Sequence, residues 1–153
     1  MTDPAPVKPA PSRIIPNTFQ TPNALVDDEI MSVLTGNEVK CYLFIVRKTF
    51  GWHKQSDRIA KPQIMQATGL GESAVDACME SLVRFGLVLR LAENDPRMNH
   101  GILWSLQVDD DQIKWQDLNK RLTEKDRKKS ALMARLRSRK RGGVDGQPQV
   151  DHQ

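Results

Sequence analysis

Three histidines and two cysteines are the side chains best suited to bind a metal or attack a substrate, and their spacing offers neither chemistry. His53, His100 and His152 are dispersed, and none falls at ligand spacing from Cys41 or Cys78. Both cysteines lie inside apolar helical patterns, where buried free thiols are expected and no disulfide is required. No glycine-rich phosphate loop with its lysine is present, so nucleotide hydrolysis is not implied. Glu72, Asp76 and Glu80 recur every four residues and share one helix face. Such a face could hold a cation only if a second element converged on it; otherwise it is simply solvated. The chain is therefore expected to bind rather than to catalyse, with no catalytic residue, metal or cofactor.

The remaining chemistry is cationic. Of the 23 Lys/Arg and 19 Asp/Glu in 153 residues, residues 112–141 hold twelve Lys/Arg and three Asp/Glu. That segment carries a balance of +9, against −5 for the rest, as a polyanion-binding extension on a near-neutral domain would. A second group, Arg47, Lys48, Lys54, Arg58 and Lys61 with His53, is opposed only by Asp57. No apolar run of about 18 residues offers a membrane span. The N-terminus lacks the order of a secretory signal, so a cytoplasmic location is expected.

The elements that must position these groups follow from periodicity. Residues 1–18, with five prolines, read as a disordered arm. Ala24 to Leu34 reads as a first helix, with Leu25, Ile30, Val33 and Leu34 available for burial. Thr35-Gly36-Asn37-Glu38 fits a capping box opening a second helix. Its stripe of Val39, Tyr42, Leu43, Val46 and Phe50, widened by Cys41, Phe44 and Ile45, predicts the most buried helix, ended by Gly51.

Ile59-Ala60 reads as a short strand after the polar stretch His53 to Arg58. A third helix starts at Lys61-Pro62, keeps Ile64, Met65, Ala67 and Leu70 inside, and stops at Gly69. A fourth runs from Gly71 through Phe85, with Val75, Cys78, Met79, Leu82 and Phe85 inward and Gly86 ending it. Leu87 to Leu91 and Ile102 to Val108 predict a β-hairpin around the polar loop Ala92 to Gly101. Asp109-Asp110-Asp111 suits a helix start, with Ile113, Leu118 and Leu122 along one side of the helix. Leu132, Met133 and Leu136 resume a stripe farther on, and residues 142–153 read as disordered.

This order is that of a mainly α winged helix-turn-helix with a small β-hairpin, occupying residues 19–109, followed by a basic amphipathic helical tail over 110–141. In that fold the helix after the Gly69-Leu70-Gly71 turn is presented to the major groove of double-stranded DNA, and the hairpin loop reaches the neighbouring backbone.

Particular segments carry a family resemblance. They are Phe19-x-x-Pro22-Asn23-x-Leu25-x-Asp27, Val46-Arg47-Lys48-Thr49-Phe50-Gly51-Trp52-His53-Lys54, Asp57-Arg58-Ile59 and Ala67-Thr68-Gly69-Leu70. From Phe19 to about Val108 the chain resembles the N-terminal domain of the lambdoid-phage replication protein O family. The resemblance implies binding to origin DNA of a phage or prophage and nucleation of an initiation complex. In the family a further C-terminal region is expected to engage the replicative helicase or its loader; here that region is missing or replaced by the basic tail.

On this reading the Arg47–Lys61 group and the wing residues Arg97, Asn99 and His100 contact DNA; the alternatives are a solvated helix end and loop for the group and an ordinary polar hairpin tip for the wing. Gln63, Ser73 and Ala77 lie nearest base edges. Arg135, Arg137, Arg139, Lys140 and Arg141 add salt-dependent phosphate binding. For the tail, a partner-docking or homodimer-forming helix is the second reading and a solubilising tail the third.

The departure is the stripe Glu72, Asp76 and Glu80 on the reading helix. It is a solvated side, a surface for a basic partner or the chain's own tail, or a set of acceptors for cytosine amino groups. Trp52 is expected to anchor the core between the second helix and the next strand, with base stacking the alternative. Trp104 is assigned to hairpin packing and Trp115 to pinning the tail helix. A transcription regulator on the same fold and a protein–protein adaptor using the acidic face and tail are the rival functions.

Overall fold

The capping box at Thr35 is formed as expected: the Thr35 hydroxyl accepts from the Glu38 amide (3.2 Å) and Glu38 Oε1 accepts from the Thr35 amide (2.8 Å). It opens the helix around which the rest is packed. The computed structural model describes residues 12–146, and side chains as far as residue 140. Most of the expected N-terminal arm and the last residues of the expected C-terminal one lie outside that range; residues 12–20 are exposed.

Before the capping box, the single expected helix is two short turns, α1 (Ala24–Asp27) and α2 (Ile30–Val33). Leu25 and Ile30 are five residues apart, which in one continuous helix would point them about 140° apart. A left-handed Glu29 (φ 63°) breaks the helix and brings Leu25, Ile30, Val33 and Leu34 into the same core. Helix α3 (Gly36–Lys48) is indeed the central one, but its buried line is centred on Cys41, Tyr42, Ile45 and Val46, with Val39, Leu43 and Phe50 at its margins. It ends at Lys48 rather than at Gly51. The Thr49 hydroxyl donates back to the Ile45 carbonyl (2.7 Å), and Phe50–Trp52 form a 3-10 turn.

Strand β1 spans Ser56–Ile59, so Asp57 and Arg58, expected in a loop, are strand residues. Helix α4 (Lys61–Thr68) ends at Gly69, whose φ of 75° suits a residue without Cβ. In α4 Thr68 is buried and Ala67 exposed, the reverse of a simple apolar count, because the Thr68 hydroxyl is satisfied by the Ile64 carbonyl (2.6 Å). Helix α5 (Glu72–Arg84), capped by Phe85, buries Val75, Cys78, Met79, Leu82 and Phe85, as its spacing predicts.

Strands β2 (Val88–Ala92) and β3 (Ile102–Leu106) complete an antiparallel sheet of order β1-β3-β2. Ile59 pairs with Ile102 at the loop end of the sheet, and Ser56 with Ser105 at the other. The loop joining β2 to β3 therefore lies at the end where β1 hands over to α4. The element order and the sheet are those of a winged helix-turn-helix arrangement, mainly α with a small β part.

The three aspartates do not open the last helix. Asp109 caps a separate 3-10 turn, accepting from the Asp111 amide (3.0 Å), and α6 begins at Trp115, running to Gly146. The packed body continues past Asp109 into this helix. Leu118 is buried, Ile113, Trp115 and Leu122 pack against the core, and Lys125 Nζ donates to the Ser32 carbonyl (2.9 Å). From Asp126 to Lys140 every residue is exposed, including Leu132, Met133 and Leu136.

Both thiols are free and buried. Burial, with Cys78 beside it, pushes the Cys41 thiol up to about 12; burial also raises Cys78. Both effects disfavour the thiolate form.

Candidate nucleic-acid interface

Helix α4 is fixed at its start by Gln63, whose Oε1 accepts from the Ala60 amide (2.8 Å), and by Pro62 in the first turn. Lys40 Nζ reaches the Thr68 carbonyl (3.4 Å) at its end. Between α4 and α5 the Thr68 hydroxyl also accepts from the Leu70 amide (3.3 Å), which holds the turn. With Val75, Cys78, Met79 and Leu82 inside, α5 turns Glu72, Ser73, Asp76, Ala77 and Glu80 to solvent.

The acidic stripe has a partner inside the domain. Lys61 Nζ lies 2.9 Å from Asp76 Oδ1 and 3.3 Å from Glu72 Oε1, with all three side chains substantially exposed. Hydrogen bonds that the Lys61 ammonium donates to Asp76 and then to Glu72 hold it above its ordinary value. Lys61, expected on phosphate, is thus paired with α5. Glu80 has no ion pair among the described residues, so the face keeps a formal balance of −2.

The wing is braced from β1. Arg58 Nη1 donates to the carbonyls of Glu93 (2.8 Å) and Gly101 (3.0 Å), so this predicted phosphate contact serves the loop's shape. Asn94 Oδ1 accepts from the Gly101 amide (2.9 Å), and its Nδ2 donates to Asn99 Oδ1 (3.2 Å). Arg90 grips Glu93 through two bonds (2.7 and 2.8 Å), lowering the Glu93 carboxyl, and lies over the buried Trp104 ring. Gly101 has φ 93°, and a Cβ there would run into the backbone of Ile59. Arg97, Met98, Asn99 and His100 stand exposed at the tip. Between α5 and the wing lies a groove of about 710 Å³, floored by Met79, Val83, Ile102 and Trp104 and rimmed by Asp76, Glu80 and Asn99.

The cations from Arg47 to Lys61 do not form one cluster. Lys61 sits at the wing end of the sheet, whereas Arg47, Lys48 and Lys54 gather where β1 begins, four strand residues away, roughly 13 Å. There Trp52 is 57% exposed, which overturns its assignment as a core anchor. The helix ends too early to carry the indole inward, and the 3-10 turn directs it outward under Arg47, whose guanidinium lies 4.5 Å from the ring centroid. Trp104 is buried in the hairpin, and Trp115 Nε1 donates to the Asp110 carbonyl (3.2 Å), tying the start of α6 to the turn before it.

One polar contact carried no signal in the sequence. Glu38, already in the capping box, is buried and takes a bidentate pair from Arg121 of α6, with Nη2 to Oε2 at 3.1 Å. Burial alone would raise the Glu38 carboxyl, but Arg121 and the Thr35 amide outweigh it and hold the group below its ordinary value of 4.5. Arg135, Arg137, Arg139 and Lys140 lie on the exposed part of α6, whereas the side chain of Arg141 is outside the described set. Among the described residues no ion pair joins the tail to the α5 stripe; α6 packs against α2 and contributes Arg121 to Glu38. Among the described residues, no helix is long and apolar enough to cross a membrane, and no three His, Cys, Asp or Glu converge as metal ligands.

Residues 18–102 match the family described as Bacteriophage replication protein O. The chain belongs to that family. Its match covers α1 to the start of β3, the α4–turn–α5 unit and the wing together. Among curated relatives, this phage replication O chain is 35% identical over 49 residues to "Replication protein 15" of Enterobacteria phage phi80, covering 32% of this chain and 16% of the relative. It is 26% identical over 72 residues to "DNA replication protein gp18" of Salmonella phage P22, covering 47% of this chain and 27% of the relative. The O-family chain thus matches about a quarter or less of the length of these relatives. No solved structure matches it.

Proposed function

We propose that this chain is a non-enzymatic duplex-DNA-binding protein of phage or prophage replication initiation, acting at an origin in the cytoplasm of the host. One observation carries the reading: α5 presents an exposed face directly after the α4 turn, and a braced wing stands beside it. One helix fits the major groove, and a wing at that distance meets the adjacent backbone. Gln63, Ser73 and Ala77 are the side chains nearest base edges. Gln63 uses its Oε1 on Ala60 and keeps its amide N–H groups for an acceptor.

With Lys61 bound to Asp76 and Glu72, attraction to phosphate falls to Arg97 and His100 of the wing and to the exposed turns of α6. From Arg127 to Lys140 those turns hold seven Lys/Arg and no Asp/Glu. They supply sequence-independent, salt-sensitive affinity, while the wing and α5 set register. Family membership favours replication over a promoter-bound regulator, and a replicative helicase or its loader is the partner class that follows from it.

The test is selection of duplexes from a random-sequence pool by the full chain at moderate salt. A consensus that recurs as repeats in a phage or prophage origin supports the reading, whereas a promoter consensus points to the regulator. Recovery without consensus assigns binding to α6 alone. No recovery leaves the acidic α5 face as a protein-docking surface and overturns the proposal.

A further inference from the structure

We infer that the corner where α3 meets β1 is a second nucleic-acid site, one that takes unpaired single-stranded DNA by base stacking on Trp52. It lies at the end of the sheet opposite the wing and does not depend on how α5 is used.

Three observations meet there. First, a tryptophan is left largely in water beside a half-covered Phe19 (38% exposed), an arrangement that folding alone gives no reason to keep. Second, Arg47 holds the indole from one side. Its guanidinium stacks at 4.5 Å from the Trp52 centroid and 5.8 Å from that of Phe19, and Nη1 is anchored on the Gly51 carbonyl (3.0 Å). Gly51 makes room, since a Cβ there would press on Arg47 at 3.1 Å. Lys48 and Lys54 flank the same corner in the chain, with Lys48 Nζ over the Phe44 ring (5.7 Å). Asp57 is the acid in this group, and it faces Lys54 at 3.5 Å. Third, an open cavity of about 520 Å³ adjoins it, lined by Gln20, Thr21, Pro22, Asn23, Val46 and Phe50.

An aromatic face, one fixed guanidinium beside it, further lysines in the flanking segments and carboxamides in a neighbouring cavity match the parts of an unpaired nucleotide. The ring offers a base a stacking surface, the cations attract its phosphates, and Gln20 and Asn23 can both donate to and accept from a base edge. In a duplex the base faces are already stacked on one another, so Trp52 has no face to meet. The site is therefore selective for strand opening rather than for sequence.

The test uses full-length protein and a dT15 oligonucleotide, read by tryptophan fluorescence and by polarisation of an end-labelled strand at low and at about 0.5 M salt. Charge attraction from α6 is largely screened at the higher salt, whereas stacking persists. Wild type is expected to bind with quenching. Trp52→Ala should weaken binding about five- to hundredfold at both salts, and Trp52→Phe should keep most of it. A duplex of the same length should bind Trp52→Ala as it binds wild type, so failure here and failure of the α5–wing reading are separable. Equal dT15 affinity of wild type and Trp52→Ala at 0.5 M salt, or no binding at all, overturns the inference. So does a change in sedimentation of Trp52→Ala without loss of dT15, which makes the corner a protein interface.

Discussion

Replacing Arg121 with Met should cost the body far more stability than an exposed salt bridge could. The Glu38 carboxylate is 4% exposed and its partner 27%. Removing one partner of a fully buried pair costs about 3–5 kcal/mol, because the other charge is stranded. Arg121 is partly solvated and the Thr35 amide still donates to Glu38, so about 2–3 kcal/mol is expected here. Met keeps apolar contact with the Phe85 ring, over which Arg121 now lies, so the loss reports charge rather than packing. For a body of this size the melting temperature should fall by roughly 10 °C, measured by circular dichroism.

The pH dependence supplies the sharper check. In wild type the folded carboxyl is held below its unfolded value, so its contribution is present above that unfolded value and is lost as pH falls through the folded one. In Arg121→Met burial remains, opposed only by the hydrogen bonds from the Thr35 amide and the Ser81 side chain, and burial raises the folded value. The deficit should then be largest at pH 7 and shrink in acid, where the stranded carboxylate takes up a proton. Glu38→Gln, combined with Arg121→Met, should recover part of the loss. A deficit under about 1 kcal/mol, or one that is the same at pH 7 and pH 4, would refute the argument.

Other perturbations separate the body from its surfaces. Gly101→Ala forces a left-handed φ on a residue whose Cβ meets the Ile59 backbone, so it should destabilise by about 2–3 kcal/mol in urea melts and loosen the wing. Neutralising the α5 stripe (Glu72→Gln, Asp76→Asn, Glu80→Gln) also frees Lys61, and non-specific duplex affinity should rise several-fold; unchanged affinity means that face points away from DNA. Truncation after Lys125 should leave the melting temperature within a few degrees while flattening the salt dependence of DNA binding. Truncation after Asp111 removes Leu118 and Arg121 and should unfold the body, and equal stability of the two truncations would contradict the packing of α6.

What was legible in the sequence was what repeats with a period or caps an end. The stripe of α5, the Thr35 box and the glycines at 69 and 86 are local signals, and each is formed where it was expected. What was not legible depended on residues distant in sequence. Arg121 and Glu38 are 83 residues apart, and nothing at either position separates a core ion pair from a cap and a surface charge. Lys61 looked like a phosphate contact because the stripe that binds it lies on the next helix. Trp52 reads as a core residue because tryptophan is usually buried, while the stop of α3 at Lys48, after which the 3-10 turn carries the indole outward, has no glycine or periodic signal at that position. The kink at Glu29 could have been found: a five-residue interval between two apolar residues does not fit one helix.

The exposed length of α6 has a mechanical consequence. From Asp126 to Lys140 the exposed helix extends about 21 Å, close to the length of six base pairs of duplex, in a single uninterrupted element. Such an element behaves as a lever whose fulcrum is the docking of Leu118 and Arg121. A tilt of about 10° at that fulcrum displaces Lys140, about 28 Å along the helix from Arg121, by roughly 5 Å. A small repacking at Glu38 would thereby become a movement larger than one base-pair step, about 3.4 Å, at the far end.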